Sequence, residues 1–143
     1  MASKQEIIAF LQRDFPQFSA TIDAVEPQSA TVRHHVTQSD LRPGGTISGP
    51  TLFALADSAL YVAILGEIGI IALAVTTHMS INFLRKPSAN ADIIAICQLV
   101  KVGKTLIVGE VKLYSEGDPQ PIAHAVGTYA IPPKKYQKIA DAD

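Results

Sequence analysis

Asp57 is the only ionisable carboxylate or base from Pro50 to Leu65, in a run that carries Leu52, Phe53, Leu55, Ala56, Leu60, Ala63 and Ile64. Taking a carboxylate out of water without partners is costly, so an acid in such a run has either hydrogen-bonding neighbours or a chemical task. The structural alternative is a bond to Thr51, Ser58 or a strand hydroxyl. The chemical one starts eight residues earlier, where Ser48-Gly49-Pro50 opens the same segment. A helix start presents unpaired N–H groups and partial positive charge, which suit the oxygen of a polarised carbonyl. Gly49 has no side chain to hold a carbonyl away, whereas Pro50 has no N–H to donate. An N–H donor followed by an acid able to serve as general base or nucleophile is a pair suited to acyl transfer. The plain alternative for Gly49 is a cap with proline in the first turn.

These residues need a helix, and nothing breaks one over 50–65, with Ser48 or Gly49 as its N-cap. It is apolar on nearly every side, so other structure must wrap it. After Gly66-Glu67-Ile68-Gly69 the period changes to two. Ile71, Leu73, Val75, Thr77, Met79, Ile81 and Phe83 then share one strand face, and Thr76 and His78 fall on the other. Strand patterns follow at 92–102, 105–114 and 121–131, parted by turn formers and predicting consecutive antiparallel hairpins. Upstream, 3–14 reads as a short amphipathic helix capped by Ser3. Segments 20–26 and 30–37 read as a hairpin, and 38–48, rich in glycine, proline and aspartate, as a loop. Strands grouped around one helix give an α+β layout, here a single domain over 1–143 with segments 1–18 and 132–143 peripheral.

Of the 143 residues, 48% are apolar and 17% charged, and the formal net charge is −1. That balance offers no field for a polyanion, so nucleic acid is not an expected partner. The apolar surplus predicts a surface covered by another subunit. Pro50, Asp57 and the glycine break argue against a membrane span over 47–75. One cysteine, Cys97, and a polar N-terminus fit a reducing cytoplasmic location without a secretory signal. His34, His35, His78 and His124 show no metal-ligand spacing, so no metal is expected. A GxSxG elbow, a GxGxxG run and a P-loop are all absent from the sequence.

The runs Gly45-Thr46-Ile47-Ser48-Gly49-Pro50, Phe53-Ala54-Leu55-Ala56-Asp57, Thr76 through Pro87 and Val102-Gly103-Lys104-Thr105 resemble, in order, the hotdog-fold acyl-CoA thioesterases of the PaaI type. The resemblance covers roughly Leu41 to Ile131. It implies a long central helix wrapped by a curved antiparallel sheet, and a homodimer that pairs again into a homotetramer, with the site at the dimer interface. It further implies Asp57 as base or nucleophile, Gly49 N–H as the carbonyl donor, and Thr76, from the strand across the interface, as a hydroxyl that places water. Ser48 and Pro50 stand where many members have histidine and glycine, and Arg42 stands where an asparagine is common. With Arg85 and Lys104, which could meet coenzyme A phosphates alongside Lys86 and Lys101, they form the expected substrate-binding set. Coenzyme A would be part of the substrate, and no cofactor is expected. The rival readings are a non-catalytic acyl-CoA binder and a hotdog hydratase or dehydratase; the latter typically adds a helix histidine, which this helix lacks.

Overall fold

The computed structural model describes residues 1–134. The tail expected to be peripheral from Pro132 lies outside the described residues beyond Lys134. Helix α1 (Lys4–Asp14) starts at a capping box: the Ser3 hydroxyl accepts from the Glu6 N–H, and the Glu6 carboxylate accepts from the Ser3 N–H. Ile7, Phe10 and Leu11 on its inner face are buried. Strands β1 (Thr21–Glu26) and β2 (Ser29–His34) form the expected hairpin. Segment 38–48 is more ordered than a loop. It holds a 3-10 turn, Gln38–Asp40, and a small hairpin of β3 (Leu41–Arg42) and β4 (Thr46–Ile47), reversed through Gly44 and Gly45 at positive φ.

Helix α2 (Gly49–Ile68) is the long apolar helix, with Ser48 as its N-cap. The expected stop near Leu65 is corrected: the helix runs through Gly66 and ends at Gly69, whose φ is +98°. Gly66 serves a close approach and does not break the helix, since a Cβ there would lie 2.6 Å from a Val25 methyl on β1. By length and composition α2 passes for a bilayer span, yet Leu60 and Val62 to Leu65 are fully or almost fully buried in the core.

Four long strands complete the fold: β5 (Val75–Phe83), β6 (Ile93–Val102), β7 (Leu106–Ser115) and β8 (Ala123–Ala130). The sheet is antiparallel with strand order β1-β2-β6-β7-β8-β5, and α2 packs on its inner face. The wrapped-helix α+β expectation therefore holds, while one hairpin does not. β5 does not pair with β6; it lies at the far edge beside β8, because β2 takes the free side of β6. The connection after β5 carries the chain back across the sheet. Gly109 and Gly127, partners on β7 and β8, let α2 settle onto the sheet: a Cβ on either would come within 2.6 Å of a Leu60 methyl.

The strand expected from Ile71 begins at Val75, since residues 71–74 form a turn closed by the Ala74 N–H on the Ile71 carbonyl. A bulge at Thr77 then changes its faces. Thr76 pairs with Tyr129 and His78 with Thr128, which leaves Thr77 as the extra residue. Thr76 consequently shares the helix-facing side with Met79 and Ile81, while His78 lies on the outer side. The expected common face for Thr76 and His78 is corrected on this ground.

Candidate active site

Asp57 projects from the middle of α2 toward the join of β5 and β8 and is half-buried. Its Oδ1 accepts two hydroxyl bonds, from Thr76 Oγ1 at 2.7 Å and from Tyr129 at 2.8 Å. The Thr76 contact is made within one chain, so this threonine reaches its own subunit's acid. Oδ2 accepts no hydrogen bond among the described residues. The partner of Asp57 is thus a strand hydroxyl, one of the alternatives open in the sequence, while Ser58 instead bonds the Ala54 carbonyl.

A cavity of about 300 Å³ opens beside the acid. Phe15 and Phe18, just after α1, form one wall, Tyr61 and Tyr129 another, and Ala72 with Ala74, Val75 and Thr76 a third. Phe15 packs edge-on against Phe18, and Tyr61 stacks on Tyr129 with centroids 5.9 Å apart. Burial, reinforced by the Asp57 charge, pushes the Tyr129 hydroxyl well above the ordinary tyrosine range, so it keeps its proton and donates. Burial also pushes Tyr61 up to about 12. Tyr129 is the residue that sequence reading missed. It sits in an ordinary alternating strand, and only the register that sets it opposite Thr76 reveals it.

The start of α2 forms a second region. The Ser48 hydroxyl accepts from the Thr51 N–H at 3.4 Å, and Gly49 is the first helical residue. The Phe83 ring lies over Gly49, where a Cβ would meet it at 3.2 Å. Asp40 ties the preceding loop to this start: its backbone carbonyl accepts from the Ser48 N–H at 2.9 Å, and its carboxylate takes His34 at 2.7 Å and the Thr37 N–H at 2.8 Å. Burial pushes the Asp40 carboxyl up, but the Thr37 and His34 bonds outweigh it and hold the group below its ordinary 3.8.

One chain does not bring the whole expected set together. Gly49 and Asp57 are eight residues apart on one helix, about 12 Å along its axis. Ser48, Pro50 and Arg42 lie with Gly49, and Arg42 is exposed on β3. Arg85, exposed just past β5, donates to the Pro121 carbonyl at 2.7 Å. Lys104 is exposed in the β6–β7 turn at the opposite end of the sheet, where the Ile131 N–H bonds Thr105 and Ala130 pairs with Val75. Among the described residues no three His, Cys, Asp or Glu side chains converge as metal ligands.

Comparison with known proteins gives this arrangement relatives. The family model of the thioesterase superfamily matches residues 44–122, from the β3–β4 hairpin to the start of β8. A candidate thioesterase from Silicibacter sp. TM1040 is similar in structure, with 44% identity, 92% of each chain covered and a TM-score of 0.84. A candidate esterase of Deinococcus radiodurans is 30% identical over 108 residues, 76% of this chain and 71% of its own length. A variant of the phenylacetic acid degradation protein PaaI from Thermus thermophilus shows 25% identity and a TM-score of 0.71, covering 87% of this chain and 99% of its own.

Proposed function

This chain belongs to the thioesterase superfamily, and on that premise we propose that it hydrolyses an acyl-CoA thioester to the free acid and coenzyme A. The observation that carries the reading is the Asp57 carboxylate, fixed through one oxygen at the mouth of an aromatic-walled cavity with its other oxygen unbonded among the described residues. Acting as base, Oδ2 takes a proton from water as the water oxygen adds to the thioester carbonyl. The oxyanion so formed rests on the Gly49 N–H at the positive end of α2. The C–S bond then breaks, and the proton passes from Asp57 to the departing sulfur. Acting as nucleophile, Asp57 Oδ2 adds to the carbonyl, and the C–S bond breaks to release the coenzyme A thiolate. Water hydrolyses the resulting acyl anhydride to the free acid and the restored Asp57, its released proton meeting the thiolate; both routes use the same oxygen.

The separation of about 12 Å between Gly49 and Asp57 favours a site that takes one residue from each of two copies. β5 is an edge strand, and Val75, Phe83 and nearby Phe53 and Leu84 are large apolar groups left exposed around it. Antiparallel pairing of β5 with its copy sets the Phe83 end of one subunit, with Gly49 beneath it, against the Thr76 end of the other. Each thioester then meets Gly49 of one chain and the partner subunit's Asp57. A second apolar surface, with Ile96, Val100, Leu106 and Val126 on the outer face of the sheet, joins two such dimers into a tetramer. Ser48 and Pro50 border the thioester, and Arg42, Arg85 and Lys104 supply cations at the two ends of β5 for coenzyme A phosphates. The single cysteine, Cys97, is buried and unpaired with another cysteine, which fits work in a reducing cytoplasm.

Thiol release from a panel of acyl-CoAs tests the reading. The parent protein should release thiol, and Asp57→Asn should lower the rate by about 10²–10⁴-fold with an unchanged melting temperature. Parental turnover in Asp57→Asn would overturn the assignment.

A further inference from the structure

We propose that Tyr129 is a positioning residue for Asp57, clamping Oδ1 together with Thr76 so that Oδ2 alone is presented to the thioester or its water. The inference rests on the hydrolytic reading above and adds a residue to it. A carboxylate on a half-exposed stretch of helix is free to turn about its last torsion and exchange its two oxygens. Here both donors reach the same oxygen, at 2.7 and 2.8 Å, from residues that face each other across the β5–β8 ladder. Their convergence depends on the bulge at Thr77. A regular ladder would put Thr77 opposite Tyr129 and turn Thr76 away from the helix.

Tyr129 is itself held. It is 3% exposed, stacks on Tyr61, and has its hydroxyl 3.5 Å from the Asp57 backbone carbonyl as well. Its proton stays on the phenol for the reason given above, so the donor is present wherever Asp57 is ionised. The ring and the hydroxyl have separate tasks: the ring is a wall of the cavity, and the hydroxyl fixes the acid. Removing the hydroxyl alone should therefore affect the chemical step more than substrate capture.

The test is steady-state acyl-CoA hydrolysis by the full chain carrying Tyr129→Phe, Thr76→Val and both together, with Asp57→Asn as reference. Tyr129→Phe should keep the parental KM within about twofold and lower kcat by roughly ten- to a hundredfold, the scale on which misplacing a reacting group slows a reaction. The double variant should lose less than the product of the two single losses, because the clamp is already broken by either one. Parental kcat in Tyr129→Phe, a loss expressed in KM alone, or losses that multiply independently would each overturn the clamp. Should Tyr129→Phe fail to fold, Thr76→Val decides, since it removes the other donor to the same oxygen from an exposed strand; parental kcat there is likewise an overturning result. Failure of the clamp is distinguishable from failure of the functional reading. Only the clamp falls if Asp57→Asn is inactive while Tyr129→Phe is not, whereas a parent that releases no thiol from any acyl-CoA removes the reading beneath it.

Discussion

The two halves of α2 are built to opposite specifications. From Ala59 to Leu65 every residue is buried, and Leu60 is seated in a depression that Gly109 and Gly127 leave in the sheet. From Gly49 to Ser58 the helix is only partly covered: Pro50, Phe53 and Ala54 are exposed and Asp57 is half-buried. The closed half anchors the helix to the sheet, so the open half can present an acid and a half-buried helix start without losing the fold. Stability and chemistry thus occupy successive turns of one element.

That division is open to attack from either side. The largest effect on stability is expected in the closed half, where Leu60→Ala should destabilise by about 2–5 kcal/mol in urea unfolding. Its turnover per folded molecule should stay near parental; selective loss of turnover without loss of stability would erase the distinction. Beside the open half, Phe83→Asp puts a charge into the apolar edge of β5. If β5 is the seam, the substitution should halve the mass of the parental assembly in sedimentation and abolish thiol release, while an assembly of parental mass and tightness would remove β5 as the seam. The smallest effect concerns Asp40. Its carboxyl is held below 3.8, so its stabilising bonds are in force at neutral pH and fade as pH falls through that depressed value. Asp40→Asn should therefore melt below the parent at neutral pH, and the gap should narrow as the pH falls below 3.8 through the depressed pKa; a gap that widened in acid would contradict the sign.

Much of this was legible in the sequence wherever a feature is local. The capped helix from Ser3, the β1–β2 hairpin, Ser48 at the start of α2 and the anomalous Asp57 all follow from short-range patterns. What escaped was non-local. The displacement of β5 to the far edge depends on β2 occupying the flank of β6, which no spacing within 71–102 encodes. Gly66 reads as a helix breaker until Val25 is seen against it. Tyr129 and Thr76 lie far apart in the chain, and their meeting is set by a register shift that strict alternation predicts wrongly.

The bulge at Thr77 is in effect a phase slip. Beyond it, Met79 and Ile81 keep step with the core; before it, Thr76 keeps step with the acid. The two stretches of strand need not share one frame of alternation, so substitutions that retune the neighbours of the carboxylate can accumulate without disturbing the apolar rows that seat the helix. Changing which residue meets the acid takes an insertion or deletion, a rarer event than a point substitution, and the strand is buffered against drift to that extent.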